Sequence, residues 1–99
     1  MDRLLEMQTF CTVVEAGSFV AASDNLGMSK AAVSRYVSEL ESRLGVRLLQ
    51  RTTRRLSLTG EGEVFYVRCR ELLAGVEEAE AEITSRNDVA RGTLRVNAP

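Results

Sequence analysis

The stretch from Ser18 to Gly45 constrains the fold more than any other part of this chain; it reads SFVAASDNLGMSKAAVSRYVSELESRLG. It predicts a short helix, a tight turn at residues 26–28 and a second helix. Gly27 lets the turn adopt a backbone conformation that other residues resist, and Ser29 is well suited to cap the helix that follows. The pattern predicts a helix-turn-helix, a motif that typically places its second helix in the major groove of DNA.

The second helix of this motif separates a buried face from a polar one. Apolar residues recur at intervals of three and four, namely Val33, Tyr36 or Val37, Leu40 and Leu44. This spacing is typical of a helix face that packs on a core. Polar and basic residues lie off this face, towards the amino-terminal end: Lys30, Ser34, Arg35 and Ser38. We therefore expect these four side chains to face base edges.

The distribution of charge supports this prediction, although the formal net charge of the 99 residues is only −1. From Lys30 to Arg55 the chain has seven basic and two acidic residues, whereas from Glu61 onward it has eight acidic and five basic ones. With its charge divided in this way, the chain can bind phosphate through its basic segment and keep its acidic segment away from it.

A basic hairpin is expected after Gly45. Residues 46–51 and 56–59 predict two short strands around the basic segment 52–55, and this arrangement is typical of a wing. Arg51, Arg54 and Arg55 are expected to contact phosphate, with one of them entering the minor groove. A solvated arginine-rich loop is the alternative, but the position directly after a helix-turn-helix favours contact.

Scaffold helices are expected before the turn. The first has apolar residues at helical spacing, with Asp2 as its cap and Gly17 at its end. Its inward residues are predicted to be Leu4, Met7, Phe10, Cys11 and Val14. Ser18 is expected to cap the next helix, which would turn Phe19, Ala22 and Leu26 inward.

A long helix is predicted from residue 60 to residue 88. Its apolar residues follow at intervals of four, three, four, three and four: Phe65, Cys69, Leu72, Val76, Ala79 and Ile83. This is a heptad seam of nearly three repeats, and we expect a second copy of the chain to cover it in a homodimer. The alternative is that the seam packs back on its own domain, as we expect near Phe65.

Metal binding and catalysis are not expected. Cys11 and Cys69 lie far apart in the sequence, and with no histidine anywhere in the chain they cannot supply a standard four-ligand zinc site. We interpret both cysteines as apolar fillers, with a regulatory disulfide as the less common alternative. No nucleophile, base and orienting group occur at recognisable spacing, and 99 residues are too few for a binding module and a full catalytic domain.

The sequence also favours a cytoplasmic protein without a membrane partner. No apolar run approaches the roughly 20 residues of a membrane span, and the amino terminus has no basic leader. The last residues, 89–99, change from helical spacing to alternation around Thr93–Val96. They form either a tail or the first strand of a further domain, and the alternation favours the further domain.

The combined pattern resembles the amino-terminal half of LysR-type transcriptional regulators over nearly the whole chain. The resemblance rests on spaced matches such as Glu15-Ala16-Gly17-Ser18-Phe19, Ala32-Val33-Ser34-Arg35, Leu44-Gly45, Leu58-Thr59 and Gly62. It implies a mainly α fold, a winged helix-turn-helix with a short two-stranded wing, followed by a long linker (dimerisation) helix. The implied units are the DNA-binding domain (1–59), the linker helix (60–88) and a hinge with the start of an effector-binding domain (89–99).

The resemblance also implies roles for individual residues. Lys30, Ala31, Ser34 and Arg35 would face the major groove, Arg54 would enter the minor groove, and Arg51 and Arg55 would lie nearer the backbone. Lys30 stands where the family usually has glutamine, and lysine suits guanine O6 and N7 better than adenine. The predicted DNA contacts are thus Ser29, Lys30, Ala31, Ser34, Arg35, Ser38, Arg51, Arg54 and Arg55.

We therefore expect the sequence-specific DNA-binding domain of a bacterial transcriptional regulator that binds a roughly two-fold symmetric site as a dimer. A tetramer is the alternative assembly for a longer protein. The resemblance implies that a small-molecule effector binds the missing domain, so no cofactor is expected in this chain. The rival function is a winged-helix interaction module that uses its basic wing on an acidic protein and lacks sequence-selective, salt-sensitive DNA binding.

Overall fold

The computed structural model describes residues 2–51 and 55–92, and side chains as far as Asn87. Within these ranges, helices and a hairpin follow one another as α1 (Arg3–Ala16), α2 (Phe19–Leu26), α3 (Lys30–Leu44), β1 (Leu49–Arg51), β2 (Leu56–Leu58) and α4 (Gly60–Gly92). The two strands pair antiparallel with Leu49 opposite Leu58. The predicted fold class is confirmed, whereas the alternation predicted around Thr93–Val96 lies outside the described residues.

Each of the first three helices begins at a side-chain cap and ends at a glycine. The caps Asp2, Ser18 and Ser29 each accept the backbone N–H of the residue three positions on, at 3.0, 3.0 and 3.1 Å. The glycine that ends α2, Gly27, has a positive φ of 68° and makes the turn to α3 short. These local predictions are confirmed because caps and left-handed turns depend on neighbouring residues alone.

The core lies between α1, α2, α3, the wing and the first part of α4. Val33, Val37 and Leu40 of α3 are fully buried, so Val37 rather than Tyr36 takes the inward position. Leu4 and Leu44 were expected to face inward, but each is 38% exposed. That expectation was wrong because both residues lie in terminal turns, where their helices pass beyond the core.

Polar side chains also lie inside the domain, which the apolar spacing did not predict. Glu6 and Thr9 of α1 are fully buried. The Thr9 hydroxyl donates to the carbonyl oxygen of Leu5 at 2.7 Å, and the Glu6 carboxylate accepts from the Arg43 guanidinium of α3 at 2.6 Å. The Thr9 hydroxyl and the Glu6 Oε1 therefore have partners where they are removed from water, whereas the Glu6 Oε2 has none within the described residues.

The amino-terminal end of α4 is fastened to the wing. The Thr59 hydroxyl accepts the backbone N–H of Gly62 at 2.9 Å and donates to the carbonyl oxygen of Arg47 at 2.6 Å. A Cβ at Gly62 would overlap the carbonyl oxygen of Leu48. Glycine at this position allows the helix and the backbone leading into β1 to approach closely.

The rest of α4 projects from the domain. Its helix continues to Gly92, beyond the predicted end at residue 88. All residues from Ala74 to Asn87 are exposed, and the principal extents of 57 × 24 × 23 Å reflect this projection. None of the helices in the described ranges is long and apolar enough to cross a bilayer.

Cys11 of α1 and Cys69 of α4 meet in the core as buried free thiols. The hydrogen bond between them raises the pKa of Cys11 and lowers the pKa of Cys69, and burial adds to the rise at Cys11. Their buried positions agree with the interpretation of both cysteines as apolar fillers. Their contact shows that residues far apart in the sequence lie side by side at the α1–α4 junction.

Candidate nucleic-acid interface

The surface of α3 that faces away from the core carries most of the predicted contacts. Ala31, Arg35 and Ser38 are exposed on the side opposite the buried face of the helix. Lys30 is exposed in the first turn, and Ser34 is half-buried at the flank. The helix thus presents a continuous face of small, polar and basic side chains, as the sequence predicted.

Ser29 lies at the amino-terminal end of this face, where it caps α3. Its hydroxyl oxygen accepts the backbone N–H of Ala32 at 3.1 Å, and the residue is exposed. The cap fixes where α3 begins, and thereby the direction in which Lys30 and Ala31 leave the helix.

The wing lies beside the carboxy-terminal half of α3. Between them is an open groove of about 520 Å³, lined by Ser38, Glu41, Ser42, Gly45, Val46, Arg47 and Arg51. Arg51 and Arg55 are exposed at the described ends of the hairpin, whereas Arg54 lies outside the described residues. The structure therefore brings Arg51 and the outer face of α3 together around one groove.

Glu41 fixes the wing to α3, a role that sequence reasoning missed. Its Oε2 accepts the backbone N–H groups of Leu48 and Leu49 at 2.8 and 3.1 Å. Two charge-assisted hydrogen bonds, both accepted by this one carboxylate oxygen, hold the start of β1 against the helix. Local spacing gave no signal for this contact, because Glu41 has the sequence context of an ordinary surface acid.

The basic residues of this region fall into two groups. Arg43 pairs with Glu6 at 2.6 Å, and Arg47 lies 3.9 Å from Glu41. Lys30, Arg35 and Arg51 make no ion pair within the described part of the chain. The positive charge that remains open to a partner therefore lies on the outer face of α3 and at the base of the wing.

Two arginines of the candidate interface lie over aromatic rings. The Arg51 guanidinium carbon is 4.6 Å from the ring centroid of Phe19 in α2, and that of Arg35 is 5.6 Å from the ring centroid of Tyr36. These distances are within the range of cation–π contacts. Sequence reasoning had assigned Phe19 to the core only, and residues so far apart in the chain gave no sign of their contact.

The predicted seam of α4 divides into a buried and an exposed part. Cys69 is 0% exposed in a single chain, so its assignment to a dimer surface was wrong; it belongs to the core of its own domain. Phe65 is half-buried, with its ring centroid 5.8 Å from that of Phe10. The remaining seam residues are exposed: Leu72 (56%), Val76 (37%), Ala79 and Ile83 (65%).

The chemistry available at this surface is the binding of a polyanion. Its cations are exposed, and its small and hydroxyl side chains allow close approach to a groove of nucleic acid. Among the described residues, no cluster of three or more histidine, cysteine, aspartate or glutamate side chains is arranged to hold a metal ion. The fold and this surface define a winged helix-turn-helix domain with a projecting helix.

Comparisons with known proteins identify the family. The model of bacterial regulatory helix-turn-helix proteins of the lysR family matches residues 4–63. An HTH-type transcriptional repressor of Pseudomonas aeruginosa is 50% identical over 98 residues, which cover 99% of this chain and 31% of that protein. The activator AaeR of Escherichia coli is 43% identical over 96 residues, which cover 97% of this chain and 31% of that protein. This chain belongs to the LysR family.

Solved structures agree with this assignment. The DNA-binding domain of BenM in complex with catB site 1 DNA superposes with a TM-score of 0.79 at 36% identity, covering 87% of this chain and 93% of that one. The LysR family transcriptional regulator CbnR superposes with a TM-score of 0.78 at 30% identity, covering 86% of this chain and 29% of that one. The chain therefore spans about a third of the length of its longer relatives, 31% in the two curated cases.

Proposed function

We propose that this chain is the DNA-binding part of a LysR-type transcriptional regulator and that it reads duplex DNA selectively as a dimer. The observation that carries this proposal is the outer face of α3, where Lys30 and Arg35 are exposed and form no ion pair within the described residues. Unpaired cations on the second helix of a helix-turn-helix are suited to base edges in the major groove. The related DNA-binding domain of BenM, which has this fold, has been solved in complex with DNA.

The contacts divide into base reading and phosphate binding. Lys30, Ser34 and Arg35 are assigned to bases, where a good bidentate pair contributes about 1 to 3 kcal/mol of discrimination. Ser29, Ala31 and Ser38 line the same face and allow close approach. Arg51 and Arg55 are assigned to the sugar-phosphate backbone, and Arg54 to the minor groove.

Dimerisation would proceed through the exposed part of α4. Leu72, Val76, Ala79 and Ile83 are exposed on a helix that leaves its own domain, and a second copy of the same stripe is the partner that matches it. Two copies of α3 related by a two-fold axis require a roughly two-fold symmetric DNA site. A tetramer would need surfaces outside this chain.

The remaining properties concern the complete regulator. Because the chain spans 31% of its curated relatives, an effector-binding domain following residue 99 is part of this proposal, with the small-molecule effector bound there. The whole protein would act in the cytoplasm on bacterial promoters, and no enzymatic activity is assigned to the chain.

The first test is a selection of bound sequences from a random duplex library, followed by fluorescence anisotropy of the selected duplex and a scrambled control across a salt series. We expect a two-fold symmetric selected site that binds at least about 1,000-fold more tightly than the control. Equal and weak binding to both duplexes, in this chain and in a protein extended by an effector domain, would overturn the proposal. That result would favour the interaction module acting on an acidic protein.

A further inference from the structure

The Phe19 ring and the Arg51 guanidinium form a contact between the helix-turn-helix and the wing. Phe19 is the first residue of α2 and Arg51 the last residue of β1, and the guanidinium carbon lies 4.6 Å from the ring centroid. Phe19 is half-buried against the core, whereas Arg51 is exposed. A ring held by the core therefore supports a cation at the surface.

The contact leaves the hydrogen-bonding capacity of Arg51 available. Glu41, a carboxylate on the same groove, already accepts the backbone N–H groups of Leu48 and Leu49 and lies 3.9 Å from Arg47. Arg51 makes no ion pair within the described ranges. A cation–π contact uses the face of the aromatic ring and requires none of the guanidinium N–H groups.

The position of the contact matters for the groove beside α3. Arg51 lines this groove together with Ser38 and Ser42 on the outer side of α3. A free arginine side chain samples many rotamers and loses that freedom when it binds a phosphate. A guanidinium that already lies on an aromatic ring loses less rotamer freedom on binding, because folding has already ordered part of the side chain.

We propose that Phe19 is a positioning residue for DNA binding, which acts by holding the Arg51 guanidinium in place for a backbone phosphate. This inference rests on the proposed function and adds to it a residue of α2 that does not itself touch the nucleic acid. Replacing Phe19 by leucine keeps an apolar side chain but removes the ring, whereas tyrosine keeps the ring.

The test is a double-mutant cycle in the 99-residue chain with Phe19→Leu, Arg51→Ala and the double variant, using the selected duplex. Phe19→Leu is expected to weaken binding by about 2- to 5-fold, the range of an exposed cation–π contact. In the Arg51→Ala background, the same change should weaken binding less than about 1.5-fold. Phe19→Tyr should bind as the unchanged chain does.

The dependence of binding on salt separates positioning from loss of charge. Arg51→Ala removes a phosphate contact and should reduce the slope of log K against log salt by about 1, whereas Phe19→Leu should leave the slope unchanged. Equal losses from Phe19→Leu in both backgrounds would overturn the proposal, since Phe19 would then act through the stability of the fold.

A measurement without DNA distinguishes failure of this inference from failure of the proposed function. In the free protein, the side-chain Nε–H resonance of Arg51 should carry a ring-current shift that Phe19→Leu abolishes and Phe19→Tyr retains. Absence of this shift overturns the positioning role, whatever the DNA result. If the shift is present but neither this chain nor a protein extended by an effector domain binds DNA selectively, the proposed function is overturned, and with it the purpose assigned to the contact.

Discussion

The Glu6 carboxylate of α1 and the Arg43 guanidinium of α3 form an ion pair of 2.6 Å inside the helical domain. The Glu6 side chain is 1% exposed and that of Arg43 33% exposed. The second oxygen of Glu6, Oε2, is buried without a hydrogen-bond partner in the described part of the chain. Arg43 therefore provides the positive charge that balances a carboxylate enclosed by the core.

Arg43→Met is expected to lower the free energy of unfolding by about 2 to 3 kcal/mol. Removing one partner of a fully buried pair costs about 3 to 5 kcal/mol, and the partial exposure of Arg43 reduces this cost. The measurement is urea denaturation at a fixed protomer concentration, because the proposed dimerisation would contribute to stability.

The control for this change is Arg86→Met. Arg86 pairs with Glu82 at 3.2 Å, but both side chains are more than half exposed, at 75% and 63%. An exposed pair one helical turn apart contributes about 0.3 to 0.5 kcal/mol. Equal losses from Arg43→Met and Arg86→Met would contradict the structural role of the Glu6–Arg43 pair.

Gly62→Ala and Gly75→Ala should change stability in opposite directions, although both glycines lie in α4. A Cβ at Gly62 would overlap the Leu48 carbonyl oxygen, whereas a Cβ at Gly75 would meet nothing within 4 Å. We expect Gly62→Ala to destabilise the chain by more than about 1 kcal/mol, as overpacking does, and Gly75→Ala to stabilise it by about 0.5 to 1 kcal/mol. Thermal unfolding of the two variants checks this; stabilisation by Gly62→Ala would mean that α4 does not approach the wing so closely.

Arg35→Ala and Arg51→Ala should differ in how they affect selectivity. Loss of the proposed base contact of Arg35 is expected to weaken binding to the selected duplex far more than to a scrambled one. Loss of the proposed phosphate contact of Arg51 should weaken both complexes by a similar factor and reduce the salt slope by about 1. Fluorescence anisotropy of each variant on both duplexes measures the difference. If each variant loses the same factor on both duplexes, this division of roles is incorrect.

Lys30→Gln is expected to change which base is preferred at one position of each half-site. Lysine favours the O6 and N7 acceptors of guanine, whereas glutamine pairs with the N6 and N7 of adenine. The selection experiment, repeated with the variant, should replace guanine by adenine there and leave the rest of the site unchanged. Arg86→Gln, a change of the same type on the projecting helix, should leave the selected site as it was. An unchanged site for Lys30→Gln would show that Lys30 does not read a base.

Leu72→Glu and Val76→Glu are each expected to convert a dimer into a monomer. Both residues are exposed on α4, at 56% and 37%, and a buried glutamate without a partner would oppose pairing of the apolar stripe. Val20→Glu is the matched control, since Val20 is 54% exposed on α2, away from the stripe. Among the three variants, only Val20→Glu should sediment as a dimer in sedimentation velocity experiments. Dimers of equal stability in all three variants would place the interface elsewhere.

Much of the fold was predictable from the sequence because its signals are local. Asp2, Ser18 and Ser29 cap their helices as predicted, and the three-and-four spacing of Val33, Val37 and Leu40 gave the buried face of α3. The same helical period predicted which residues of α3 lie on the opposite, outward face. A cap or a helix face depends on residues within a few positions, and the sequence displays these directly.

The contacts that join distant segments were decided by the tertiary structure. Glu6 with Arg43, Cys11 with Cys69, Glu41 with Leu48 and Phe19 with Arg51 each connect different elements. No local period marks such a pair, because the two residues meet only after the helices have packed. Burial then decides the role of each residue. Glu6, in the first turn of α1, forms an ion pair in the core, and Cys69, which the spacing placed on the seam of α4, belongs to the core. The apolar spacing of α4 was correct, but only packing against α1 and the wing determined that Cys69 is buried, whereas Leu72 and the residues from Ala74 to Asn87 are exposed.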